Sequence, residues 1–126
     1  MSWTDFIVNK RHITGIYSDH LKLSDLELYR IEIDHDRAAV YIFLRTDVLP
    51  IKRPNSNKWA SEFNSVAFTL HAQIIDSILY RGTPYISETR IGIKRSLGFI
   101  VVELSSEKAS FTVACSNLSV MDLHPF

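Results

Sequence analysis

Residues able to do chemistry are few in this chain, and most stand far apart. Asp34-His35-Asp36 is the one place where carboxylates flank an imidazole. Such a trio could orient a general base or hold a hard cation. The competing reading is local: an Asp carboxylate accepts backbone N–H groups further along a tight turn, and a turn is what this position needs. His12, His20, His35, His71 and His124 are widely spaced and form no HExxH or CxxC pattern and no HxH pair with a third ligand nearby, so no metal site is expected. Cys115 is the only cysteine and ends the alternating run Phe111-Thr112-Val113-Ala114-Cys115. That context predicts a small buried hydrophobe rather than a nucleophile. The chain has no GxSxG elbow, no GxxxxGK[ST] loop and no GxGxxG, and only four glycines with which to build any of them. Catalytic residues and cofactors are therefore not expected. Carboxylates brought together across strands would leave no local mark, which keeps an enzyme as a third reading behind the two given below.

The elements that would position these residues are mostly strands. Ser2-Trp3-Thr4-Asp5 has the spacing of an N-cap with an acid three residues on, and predicts a short helix that carries Trp3, Phe6 and Ile7 on one side and ends before Gly15. From there the apolar period drops to two. Leu26 to Ile33 alternates, but its parity slips at Leu28-Tyr29-Arg30, which predicts a bulge or strong twist. After the Asp34 to Arg37 turn, Ala39 to Arg45 places Val40, Ile42 and Leu44 on one face and Tyr41 and Phe43 on the other. Two apolar faces predict a strand covered on both sides or lining a closed structure.

Between Asp47 and Asn64 the pattern lapses into a proline loop that Trp59 returns to the core. Strand periodicity resumes at Val66, Phe68 and Leu70. Residues 72–81 read as strand or helix, with strand favoured by the β-branched side chains. Thr89 to Lys94, Phe99 to Leu104 and Ala109 to Cys115 follow, with the tail Leu118 to Leu123 as a further candidate. The expected fold is mainly β (α+β with one short N-terminal helix), an antiparallel sandwich or open barrel of about seven to eight strands.

The 126 residues, 46% apolar and 11% aromatic, suit one domain over 1–126 with a core that needs no staples. Fourteen bases balance fourteen acids, which disfavours a general nucleic-acid or membrane-surface binder. The neutral total conceals segments of −2 (1–47), +4 (48–100) and −2 (101–126). The start MSWTDFIVNK has no signal-peptide pattern, a lone cysteine forms no intrachain disulfide, and no apolar run approaches the ~18 residues of a membrane span, so the expected compartment is the cytoplasm.

The opening Trp3-Thr4-Asp5-Phe6, the Ile16-Tyr17 lead-in, the strand pair around Asp34 to Arg37, the proline loop into Lys58-Trp59, and Val66 to Leu70 before an apolar strand ending at Gly82 together resemble the bacterial immunity protein 50 family, found beside polymorphic toxins. The resemblance implies a mainly β cytosolic protein that binds and blocks a cognate toxin domain, with no catalysis and no cofactor. It also implies that the toxin's cleft is basic. On that ground Asp34, His35, Asp36, Asp19 and Asp25 are the expected partner contacts, with the basic group Lys52, Arg53 and Lys58 as the alternative. The rival reading is a small-molecule-binding β-barrel whose cavity Tyr41, Phe43, Phe68 and Phe99 would line. Monomer and homodimer both remain open.

Overall fold

Alternating apolar residues from Glu27 onward build a single antiparallel sheet. In the computed structural model, described over residues 2–82 and 89–126, the strands are β1 (Glu27–Asp34), β2 (Ala39–Thr46), β3 (Val66–Arg81), β4 (Arg90–Ser96), β5 (Phe99–Ser105) and β6 (Ser110–Pro125). They pair in the order β1-β2-β3-β6-β5-β4. The mainly β, antiparallel class is as expected. Six strands replace seven or eight because the two longest are continuous: residues 72–81 prolong β3 as strand, and Leu118 to Leu123 prolong β6. The sheet does not close into a barrel, and among the described residues no second sheet packs on it. Its covering layer is the N-terminal segment.

β3 and β6 form the long central pair. β2 joins the first half of β3, from Thr46↔Val66 to Val40↔Ala72, while β5 joins the first half of β6, from Ser105↔Ser110 to Ile100↔Cys115. The two outer hairpins therefore hang from opposite ends of that pair. Register shifts fall between Leu28 and Arg30 in β1 and at two points of the β3–β6 ladder. The first is the predicted parity slip, with Tyr29 as the extra residue. The β4–β5 turn has positive φ at both Leu97 (52°) and Gly98 (84°), the backbone that suits the right-handed twist of a two-residue hairpin.

The N-terminal segment departs from the single helix expected there. Ser2 and Asp5 do form a capping box, but over a 3-10 turn, Trp3–Phe6. The chain then extends so that Val8 N–H donates to the Leu118 carbonyl, and only afterwards does α1 (Arg11–Tyr17) begin. This helix runs through Gly15, because burying Ile13, Ile16 and Tyr17 outweighs the ~1 kcal/mol cost of a helical glycine. Trp3, Ile7, Ile13, Ile16 and Tyr17 join Val40, Ile42, Leu44, Phe68 and Leu70 in one core. Trp3 stacks on Phe68 at 6.2 Å and donates its Nε1–H to the Leu21 carbonyl at 2.8 Å.

Asn9 finishes the seam. Its Nδ2 donates to the Val120 carbonyl and its Oδ1 accepts from the Val120 N–H, both at 2.8 Å, where β6 has run past the end of β5. The proline loop is held by Tyr17, whose hydroxyl donates to the Val48 carbonyl, and by Trp59, which is buried edge-on against Phe63. Cys115 is fully buried, and burial pushes its thiol up to about 11, so the expected inert cysteine is what the fold contains.

Candidate functional site

The face of the sheet turned away from the N-terminal layer carries aromatic and charged side chains that, among the described residues, no other element covers. Register makes this face. Tyr41 opposes His71, Phe43 opposes Thr69 and Arg45 opposes Ala67, while on the next strand Met121 opposes Thr69 and His124 opposes Ala67. The small residues Ala67 and Thr69 are buried beneath their larger neighbours and form a floor. Tyr29, Phe43, Met121 and His124 stand around it. The face holds three open, shallow depressions of about 350, 250 and 180 Å³, which share Tyr29, Phe43, Thr69, Asp122 and His124 among their walls.

Bulges at both sides shape the groove. The extra residue in β1 turns Tyr29 onto the outer face beside Arg30, while Leu28 keeps its place in the core. In β6 the register steps by three residues, from His124 to Met121, against two in β3, and Asp122 within that step has φ 55°. A bulge bends its strand and re-aims a side chain, and Asp122 accordingly lines two of the depressions.

The aromatic groups hold one another in place. Tyr29 and Phe43 meet at 6.0 Å, and Tyr41 stacks on His71 at 4.6 Å. The Arg30 guanidinium lies over the Phe43 ring at 5.2 Å and Arg45 over Tyr29 at 5.5 Å. Each arginine is also paired with a carboxylate: Arg45 with Glu27 at 2.9 Å and Arg30 with Glu32 at 3.3 Å. These ion pairs are exposed and contribute little stability, but they fix two long side chains flat against the rings. The Glu27 carboxylate holds the Arg45 guanidinium firmly protonated, and partial burial lowers His71 below its ordinary 6.5, leaving a neutral ring on Tyr41 at pH 7.

The residues singled out in the sequence are not brought together. Asp34 reaches the groove's rim, yet its Oδ1 accepts the Asp36 and Arg37 N–H groups, which is the turn role set against the chemical one. His35 and Asp36 are exposed on that turn. Asp19 and Asp25 belong to the N-terminal layer on the opposite side, and Asp25 accepts the Lys22 N–H. Of the basic group, Lys58 lines the groove and donates to the Leu123 carbonyl, whereas Arg53 sits over Phe63 and the Lys52 N–H donates to the Ile16 carbonyl. Of the four aromatics of the barrel reading, Phe68 is in the core while Tyr41 and Phe43 are outside, so the four cannot line one cavity. Among the described residues no group of His, Cys, Asp and Glu could hold a metal ion.

What this arrangement offers is a mixed aromatic, methionine and arginine surface, a composition common where proteins meet one another. The model of the family described as immunity protein 50 matches residues 9–126, nearly the whole chain. The chain belongs to the immunity protein 50 family. No curated protein and no solved structure matches it. The immunity protein 50 match covers all six strands and every residue of the groove, while the opening Trp3–Phe6 turn lies before it. The groove itself was missed in the sequence, although Tyr29-Arg30, Tyr41, Phe43 and Arg45 on adjoining strands were its signal.

Proposed function

We propose that this chain is a non-enzymatic immunity protein of the cytoplasm that binds a cognate toxin domain and neutralises it, and that the toxin seats on the outer face of β1, β2, β3 and β6. Membership of the immunity protein 50 family supports a protective role. The observation that carries the reading to this face is the cluster Tyr29, Phe43, Arg30 and Arg45, rings and guanidinium groups pre-assembled at the surface. Tyr and Arg are over-represented where binding energy concentrates, and side chains already held in place lose little freedom on association. Asp34 and Asp36 at one end and Lys58 at the other serve as rim charges that orient the partner. Asp19, Asp25, Lys52 and Arg53 stand outside this face and take no part.

The test is co-expression with the toxin domain encoded beside this chain. Growth should be restored and the two proteins should purify as a stoichiometric complex. Protection without a complex, or a complex that survives combined substitution of Phe43 and Tyr29 by Ala at full affinity, would refute the assignment.

A further inference from the structure

A second surface is left unfinished by the sheet. Pairing between β2 and β3 stops at Ala72, so among the described residues strand β3 has β6 on one side only from Gln73 to Arg81. Among the described residues no backbone group bonds to its other edge. This stretch, Gln73-Ile74-Ile75-Asp76-Ser77-Ile78-Leu79-Tyr80-Arg81, is rich in β-branched and aromatic residues, and Ile74, Leu79 and Tyr80 are 69, 69 and 70% exposed. Natural proteins blunt open edges with prolines, charged side chains, bulges or very short strands. The positive φ of Ile74 (55°), the bulge between Ile75 and Ser77 and the charge of Asp76 lie at one end of the stretch, and none of these devices falls from Ile78 to Tyr80.

We propose that this edge is completed by the same edge of a second copy, giving a two-fold symmetric dimer through antiparallel β3 pairing. The proposal is independent of toxin binding on the outer face. Self-pairing is favoured by the segment's own pattern. Ile78 and Tyr80 oppose Val113 and Phe111 and so stand on the core side of the sheet, whereas Ser77, Leu79 and Arg81 oppose Ala114, Thr112 and Ser110 and stand on the other. With the two-fold axis at Leu79, Leu79 faces Leu79 of the second copy, Ile78 faces Tyr80, and Ser77 faces Arg81, each match falling on one face as antiparallel pairing requires. The same register brings the Asp76 end of each strand toward the Arg81 end of the other, placing opposite charges together where a parallel arrangement would place like charges together. A chain with fourteen bases and fourteen acids adds no long-range repulsion between copies. The contact is isologous and closes at two, so it completes the edge without leading to fibres.

Sedimentation equilibrium over a wide concentration series, with two variants, tests this. The wild-type chain should reach a dimer. Leu79→Lys, which sets two ammonium groups face to face across the axis, should weaken the dimer about tenfold or more with an unchanged far-UV circular dichroism spectrum. Leu79→Cys should form an intermolecular disulfide under mild oxidation much faster than Val8→Cys, an exposed position remote from the edge, while the buried Cys115 stays out of the reaction. A monomeric wild type, a dimer indifferent to Leu79→Lys, or Leu79→Cys linking no faster than Val8→Cys would overturn the proposal. Loss of toxin affinity on Leu79→Lys from a monomeric wild type would overturn it too, giving the edge to the toxin. Toxin affinity of variants in the outer face is read separately, so failure of one proposal leaves the other standing.

Discussion

Asn9→Ala probes the seam where the N-terminal layer is joined to the sheet. Past Cys115, strand β6 has no β5 beside it, and the Asn9 side chain takes the place of a strand partner by both donating to and accepting from Val120. Val120 is 5% exposed, so truncation strands one N–H and one C=O in a largely buried position. Each unsatisfied group costs ~1–3 kcal/mol, and because Asn9 itself is half-buried, water reaches the gap and the low end of that range applies. The two together come to about 2 kcal/mol. For a chain of this length that lowers Tm by about 8 °C, measured by thermal unfolding followed by circular dichroism at pH 7. Asn9→Asp supplies an internal check. It keeps the acceptor for Val120 N–H but turns a carboxylate toward the Val120 carbonyl, so its folded-state pKa rises above the unfolded value of ~3.9. Stability of that variant relative to wild type should then be recovered as pH falls and the group protonates. An Asn9→Ala variant melting within about 2 °C of wild type, or an Asn9→Asp variant as stable as wild type at pH 7, would refute this account of the seam.

Trp59→Ala removes a side chain only 2% exposed that ties the proline loop to the core, and should cost ~3–5 kcal/mol in chemical denaturation, with a cavity that a smaller aromatic partly fills. His71, held below 6.5 by burial, binds protons less readily folded than unfolded, so its contribution to stability is present above pH 6.5 and is lost as pH falls toward its folded value. His71→Gln should flatten that part of the pH–stability profile, and NMR titration of the His71 ring should give a midpoint below 6.5. Asp36→Lys reverses a charge at the groove's end without touching the Asp34 carboxylate that builds the turn; it should slow toxin association and flatten its salt dependence in stopped-flow measurements, with a smaller effect on dissociation.

Strands were legible in the sequence because each has one face in the core, and a period of two records that. The slip at Leu28-Tyr29-Arg30 even located a bulge, since one extra residue is the only way to keep both Leu28 and Ile31 turned toward the same side. Helical structure near the N-terminus was harder. The Ser2 cap is real, but it closes a single 3-10 turn because the chain extends at Ile7 and brings Val8 and Asn9 against β6, and α1 then starts at Arg11 with no side-chain cap from Lys10 to announce it. The outer face was misread for a different reason. Tyr41 and Phe43 looked like residues requiring a second covering layer, whereas His71 stacks on Tyr41, and Tyr29 and the Arg30 guanidinium lie against Phe43. Such mutual cover depends on cross-strand register, which pairs β2 with a strand some thirty residues later in the chain and leaves no trace in local spacing.

The central claim is that the outer face receives the toxin, and the most direct measurement of it is the affinity of Phe43→Ala for the cognate toxin domain by isothermal titration calorimetry. Phe43 sits at the middle of the groove, under Arg30 and beside Tyr29. Loss of a central aromatic anchor costs at least ~2 kcal/mol, or about thirtyfold in Kd, and here the fold should survive because the side chain lies outside the core. The account predicts that loss, with no change for Val8→Ala elsewhere on the surface. A folded Phe43→Ala protein that binds the toxin with wild-type affinity would contradict it.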